Sequence, residues 1–410
     1  MNNNIRSTLM ETNRLKRPLD GVKVLDLSRV LSGPFCGALL GDMGADVIKI
    51  EDLDGGDETR MWPPRKGVDS AAFLVCNRNK RGMTLDLTTL SGQEIFIKLV
   101  KNSDVVLENY RSGVMEKFDL GYERLNQVNP RLVYCGISAF GRFGPLANTA
   151  GYEAVLQAWG GVMSMTGEFG RDPVRCGLSF IDLSTGIMAG FAIMNALLLR
   201  ATTGLGQKVE CSLLQTNLAL LNYHAQAYLM DGTVNQAIGS SHPSLVPYRN
   251  YKCNDNNFVF IGGANQRFWP KLCKVLGLED LIKDQRFVTN LERVKNRIHL
   301  DQLIGDAVAI FTSKDLLQLL SENGVPSAPV NTLDKFLNQP QLDSGRMIEE
   351  INHPRLGPTK IIGVPLTALD MDIGVRMAAP DYSEHTVAIL KELGYFTADI
   401  AKLRDNKIFI

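Results

Sequence analysis

The feature that most constrains the fold is an alternation in the first third of the chain, where short runs rich in β-branched residues are separated by stretches with helical spacing. The runs are VKVLDLS (22–28), ADVIKIE (45–51), MTLDL (83–87), DVVLENY (104–110) and LVYCGIS (132–138). Residues 33–43 and 91–101 carry helical spacing, and Ser91 predicts a cap for the second of these helices. Strand followed by helix, repeated, predicts a parallel α/β sheet with ligand loops at the strand ends, a Rossmann-like domain.

At 410 residues the chain exceeds the length a single core sustains, so a second unit is expected. The large domain is read over 18–232, after a tail at 1–17. A connection over 233–250 (Gly239, Pro243, Pro247) precedes a small α+β domain at 251–330, with a strand in NFVFIGG (257–263) and a helix at 267–276. Pro340, Pro354, Pro358 and Pro365 mark a second linker at 331–365. Residues 366–410 read as C-terminal helices returning to the large domain, the final one (383–393) stopped by Gly394.

Composition and motifs prune the functions. Lys plus Arg number 44 against 44 Asp plus Glu, a net charge of 44 − 44 = 0, which gives no global reason to bind nucleic acid or an anionic membrane. The uncharged stretch 183–199 is just under spanning length and holds Ser184, Thr185 and Asn195; it is read as a buried helix, as is 212–230. Seven dispersed cysteines without a C-x-x-C pair argue against a disulfide framework or zinc knuckle and for a reducing, cytoplasmic setting, with the mitochondrial matrix as the secondary alternative for a eukaryotic source. No phosphate-loop, H-E-x-x-H, G-x-S-x-G or G-x-G-x-x-G motif is present in its required context, and no metal is expected. Five separated histidines read as structural.

Two features carry chemistry with an open alternative. The RVLSGP turn (29–34) joins a strand to a helix whose first amides can hold phosphate oxygens; equally, Gly33 and Pro34 make it a plain tight connection. Asp182, in GLSFIDLSTG, combines an apolar approach with a helix start, so it is either a helix cap or a functional carboxylate. The basic run Asn77-Arg78-Asn79-Lys80-Arg81 reads as an exposed cationic turn or a polyphosphate contact.

Three stretches together resemble the class III CoA-transferases, the family of formyl-CoA and carnitine CoA-transferases: RPLDGVKVLDLSRVLSGPFCGALLGDMGADVIKIE, AGYEAVLQAWGGVMSMTGEFGRDPVRCGLSFIDLSTG and SEHTVAILKELGY. The overall pattern and GSSHPSLVPYRNY (239–251) are most similar to the succinyl-CoA:glutarate branch. The resemblance implies a Rossmann-like large domain and a small domain joined by two long linkers, in a ring-shaped subunit that interlocks with a second copy as a homodimer. It implies an enzyme that moves CoA from an acyl-CoA, such as succinyl-CoA, to a free carboxylic acid, with no metal. Asp182 falls on the family's nucleophile, which passes through an aspartyl anhydride and an aspartyl-CoA thioester.

The same resemblance places CoA against Val30, Leu31 and Ser32, against Leu85 to Thr88, against Asn109, Tyr110 and Arg111, and against Ser138, Ala139, Phe140 and Gly141, with Lys117 near the phosphates. Two further basic contacts of the family fall on Asp52 and Thr88, so Lys80, Arg81 or Arg111 is expected to compensate. Arg29, Tyr152, His242, Arg249, Gly262 and Gly263 are the expected substrate residues, His242 and Arg249 facing a distal carboxylate if the acids are dicarboxylic. Oxalate, carnitine or an aromatic acid stay open as acceptors. The α-methylacyl-CoA racemases share the fold but pair the aspartate with an upstream histidine; here that place holds Tyr152, whose phenol is a poor general base at neutral pH. A non-catalytic CoA-binding protein, with Asp182 as a cap, is the alternative of another class.

Overall fold

The computed structural model describes residues 17–368 and 370–410; the tail expected at 1–17 lies outside them except for Arg17. Contacts divide the chain into two compact units. One runs to Gly160 and takes Leu178–Leu221 and Pro340–Ile410; the other takes Gly161–Gly177 and Asn222–Gln339. Beside the expected boundaries at 232 and 330, the units divide inside segments that read as continuous.

The first unit is built on six strands: β1 Lys23–Asp26, β2 Asp46–Glu51, β3 Lys80–Thr84, β4 Val105–Glu108, β5 Val133–Ser138 and β6 Lys208–Ser212. All pairs are parallel, in the order β3-β2-β1-β4-β5-β6, so the order reverses between β1 and β4. Period-two alternation sends successive side chains to opposite faces. Val105 and Leu107 pack with helices α1 (Ser32–Asp42) and α4 (Phe180–Thr203), whereas Val106 faces α2 (Leu90–Lys101) and the C-terminal helices through Ile389, Leu390 and Ile400. Each such side chain, fully buried, contributes about 1.5–3 kcal/mol. Helix α3 (Glu153–Trp159) precedes α4, and α5 (Leu213–Asp231) follows β6.

Three local expectations are corrected. The third strand occupies KRGMT rather than MTLDL, because its charges are neutralised in place: Lys80 pairs with Asp26, and Arg81 with Asp46 and Glu392. The basic run is therefore not an exposed turn, since Arg78 and Lys80 are buried. The cap of α2 is Thr89, whose hydroxyl accepts from Gly92 N at 3.1 Å, and Ser91 lies inside the helix.

Helix α4 buries one stripe, Ile181, Asp182, Thr185, Gly186, Ala189, Ile193 and Ala196, at helical spacing. A Cβ on Gly186 would lie 2.5 Å from Ser32 O, so the small residue is what lets α4 meet the start of α1. Its other side is not buried within this chain: Ile187, Phe191 and Leu198 are exposed, and α5 likewise exposes Leu218 and Leu229. The expectation of fully buried helices is thus corrected to a single buried face. Among the described residues, α4 is the one helix long and apolar enough to cross a membrane. Helix α5 breaks at Asn222 (φ 43°, ψ −116°), where the first unit ends.

The second unit holds a three-stranded antiparallel sheet of β7 (Arg249–Lys252), β8 (Phe258–Ile261) and β9 (Ser327–Pro329), with β8 central. Trp269, Leu272, Phe287, Leu300, Ile304 and Leu316 form its core. Buried Arg293 donates to the carbonyls of Val246, Phe287 and Ala264 at 2.7–3.0 Å and stacks 4.9 Å over Trp269.

Candidate active site

Ligand sites in open α/β sheets lie beyond the carboxyl ends of the strands, where the strand order reverses. Here that place is a cavity of about 930 Å³ in the first unit. Arg29, Val30 and Ser32 line it after β1, Leu85 and Thr88 after β3, and Asn109, Tyr110 and Arg111 after β4. Ser138, Ala139 and Phe140 follow from β5, then Tyr152 and Glu153 at α3 and Asp182 at α4. Of the other expected positions, Leu31, Lys117 and Gly141 are not among the lining residues, although each is next to or near one; Lys117 is exposed.

Asp182 sits in the first turn of α4, three residues after the N-cap Ser179, so the reading of it as the cap is corrected. It is 8% exposed. Burial and the negative charge of Glu153 push its pKa up to about 7, against the pull of a hydrogen bond from the Ser32 hydroxyl. Such a carboxylate is poised: poorly solvated, close to free helix amides, and half ionised near neutrality. Glu153, itself buried, accepts from Gln157 Nε2 at 2.7 Å.

Behind the lining lies a layer of buried ion pairs. Lys80 Nζ reaches Asp26 Oδ2 at 2.7 Å, and Lys49 Nζ reaches Asp57 Oδ2 at 2.8 Å. Burial opposes charge on Asp57, but Lys49 overcomes it and holds the carboxyl below its ordinary range. Glu108 pairs with Arg142, accepts from Tyr110 N at 2.8 Å and from the Tyr134 hydroxyl at 3.2 Å, and so ties the loops after β4 and β5 together. Burial pushes its pKa up to about 7 despite Arg142. A Cβ on Gly136 would lie 2.8 Å from Arg142 Nη2, so glycine opens the space this guanidinium fills.

The expected phosphate contacts need revision. Lys80 and Arg81 are both spent on carboxylates, leaving Arg111 as the exposed cavity-lining member of the three. The same rim carries Asp52, Asp54, Glu58 and Asp86, and Arg29 pairs with Asp52 at 3.3 Å.

His242, Arg249, Gly262 and Gly263 all belong to the second unit. His242 lines a cavity of about 340 Å³ with Tyr223, His224, Tyr248 and Phe260, its Nε2 lying 3.2 Å from the Tyr223 hydroxyl. Arg249 is committed to Asp301 at 3.1 Å. Gly262 N donates to Pro326 O at 2.8 Å, and a Cβ on Gly263 would meet Leu272 at 2.7 Å.

Sequence reasoning missed Glu153, Lys49, Asp57 and the Glu108–Arg142 pair. Glu153 had a visible signal, since it follows Tyr152 at the start of a helix; the others sit in runs that read simply as strand or loop.

Residues 19–386 match CoA-transferase family III. Succinyl-CoA:glutarate CoA-transferase of Homo sapiens is 37% identical over 378 residues, covering 92% of this chain and 86% of that protein. Succinate–glutarate CoA-transferase of Agrobacterium fabrum is 34% identical over 387 residues, covering 92% and 96%. The crystal structure of a CAIB/BAIF family protein from Brucella suis superposes with a TM-score of 0.82 at 38% identity, covering 92% of this chain and all of that one.

Proposed function

Since the chain belongs to CoA-transferase family III and is an enzyme that moves CoA between an acyl-CoA and a carboxylate, we propose that Asp182 carries the transfer and that the acids exchanged are dicarboxylates. The observation that carries this reading is the placement of Asp182: a poorly solvated carboxylate, at a helix start, inside the cavity formed by the strand-end loops.

An Asp182 oxygen attacks the thioester carbonyl of the donor, and the C–S bond breaks to give an acyl-aspartyl anhydride and CoA thiolate. The thiolate attacks the aspartyl carbonyl and expels the donor acid, leaving an aspartyl-CoA thioester. The acceptor carboxylate attacks that thioester and releases the thiolate. The thiolate then attacks the acyl carbonyl of the second anhydride, which frees acyl-CoA product and restores the Asp182 carboxylate. Splitting the exchange in this way keeps each step between species of similar energy. Water would hydrolyse every intermediate, so the apolar Phe180 and Ile181 beside the nucleophile serve to exclude it.

Succinyl-CoA as donor and glutarate or a similar acid as acceptor are supported by the names of the human and Agrobacterium relatives. Tyr152 at the place of the racemase histidine favours transfer over racemisation. A second copy of the chain is the proposed cover for the exposed apolar side of α4 at Ile187, Phe191 and Leu198.

The test is a panel of short dicarboxylic acids offered with succinyl-CoA, followed by hydroxylamine trapping and peptide mass mapping. CoA transfer to at least one acid, with the trapped adduct on Asp182 and a dimer by light scattering, is expected. Turnover that leaves Asp182 unmodified overturns the assignment, and racemisation of a 2-methylacyl-CoA without an acceptor replaces it with the rival.

A further inference from the structure

Val30 is the residue under most evident backbone constraint in the cavity. Its φ is +72°, in the left-handed region that a β-branched residue disfavours most. Such a conformation persists only where its surroundings over-determine it. Here four contacts converge on three consecutive residues. Lys49 Nζ donates to Ser28 O. The Asn109 side chain takes both backbone groups of Arg29, accepting from its N–H at 2.8 Å and donating to its carbonyl at 2.7 Å. Asp57 Oδ1 accepts from Val30 N at 3.2 Å.

These three side chains come from β2, from the segment after it and from the residue that follows β4, and two of them, Lys49 and Asp57, form a wholly buried pair. What they hold is functional surface. Arg29 and Val30 line the cavity, and two residues on, Ser32 hydrogen-bonds the Asp182 carboxylate.

We propose that Asn109, backed by the buried Lys49–Asp57 pair, is a positioning residue that locks the Ser28–Val30 turn in its left-handed form and so presets the surface that receives the CoA portion of the substrate. The inference rests on the reading of this cavity as the CoA site. It differs from a direct contact between Asn109 and CoA, and glycine tells the two apart, because it adopts positive φ without penalty whereas alanine does not.

The experiment is a double-mutant cycle read by calorimetric binding of free CoA, with steady-state kinetics on succinyl-CoA and glutarate alongside. Asn109→Ala in the Val30 background is expected to raise the Kd for CoA at least about tenfold, with KM following and kcat falling less. With Val30→Gly the same Asn109→Ala change is expected to cost no more than about threefold; with Val30→Ala it still costs about tenfold. An unchanged Kd in Asn109→Ala, or an equal cost in the glycine and alanine backgrounds, overturns the proposal. If Asn109→Ala does not fold, Asn109→Asp, which keeps the acceptor for Arg29 N–H and loses the donor to its carbonyl, is read through the same cycle. Because Kd is measured without turnover, a wild-type protein that binds CoA yet transfers none of it overturns the transferase reading, while the positioning role of Asn109 is still decided by the binding series.

Discussion

The two units bury charge in opposite ways. In the first, Asp26, Lys49, Asp57, Glu108, Glu153 and Asp182 are buried in and beyond the carboxyl-terminal halves of the parallel strands, and buried Lys80, from the amino end of β3, reaches forward to Asp26. In the second, the one buried charged side chain among the described residues is Arg293, and its donors go to backbone carbonyls and an amide around an apolar core. Buried ion pairs rarely stabilise more than apolar residues of the same volume would. The first unit therefore carries its charges for what they arrange, the loops and nucleophile of a cavity, while the second spends its interior on packing.

The largest expected effect is on the group whose charge is least compensated. Asp182→Asn removes the nucleophile, and transfer is expected to fall by at least about a thousandfold. Stability should move the other way. A carboxyl whose folded pKa is raised binds protons more tightly folded than unfolded, so it costs stability once pH exceeds its unfolded value, and the full cost is present above about 7. Asp182→Asn is thus expected to gain about 1–4 kcal/mol in urea unfolding at pH 8 and little near pH 4. A variant that is inactive and also destabilised at pH 8 would break the contrast between arranged charge and packed core.

A matched pair of core substitutions sharpens it. Lys49→Met leaves Asp57 buried without its cation and is expected to cost about 3–5 kcal/mol, whereas Lys49→Met with Asp57→Leu is expected to recover much of this while CoA binding stays weak. In the second unit, Leu300→Ala is expected to cost about 2–5 kcal/mol through the cavity it leaves, and no polar partner can restore it. Denaturant unfolding of the three variants measures both.

The same contrast explains what the sequence made legible. The apolar runs that become β1, β2, β4 and β5 announce a parallel sheet, and Gly394 (φ 85°) follows the helix Thr386–Glu392 where a stop is expected, although a further helix, Thr397–Asp405, comes after the one read as final. Lys49 in ADVIKIE is different: alternation assigns it to a solvated face, but a parallel sheet is covered on both sides and the ammonium is wholly buried on Asp57. KRGMT reads as loop for the same reason, since the partners that neutralise Lys80 and Arg81 lie 54, 35 and 311 residues away. Asp182 stands out locally, yet its three-residue offset from the cap and its neighbour Glu153 exist only once α3 and α4 are packed. Pair partners at long range leave no periodic trace.

The smallest effect is the most diagnostic, because it asks which buried carboxyl controls the rate. Only ionised Asp182 attacks a thioester, so kcat/KM for succinyl-CoA is expected to rise about tenfold per pH unit below a break near 7 and to level off above it. Burial raises this pKa first and Glu153 adds to it, so Glu153→Gln should move the break to lower pH. The Ser32 hydroxyl favours the anion, so Ser32→Ala should move it up. Glu108 also titrates near 7, and its protonation weakens the hold on Arg142 and hence on the loop after β5. The two groups separate by substitution: a break that shifts with Glu153→Gln and stays in Glu108→Gln belongs to the nucleophile. If it stays in Glu153→Gln and vanishes in Glu108→Gln, the loop anchor limits the rate, and the arranging charges of the first unit matter more to turnover than the charge that reacts.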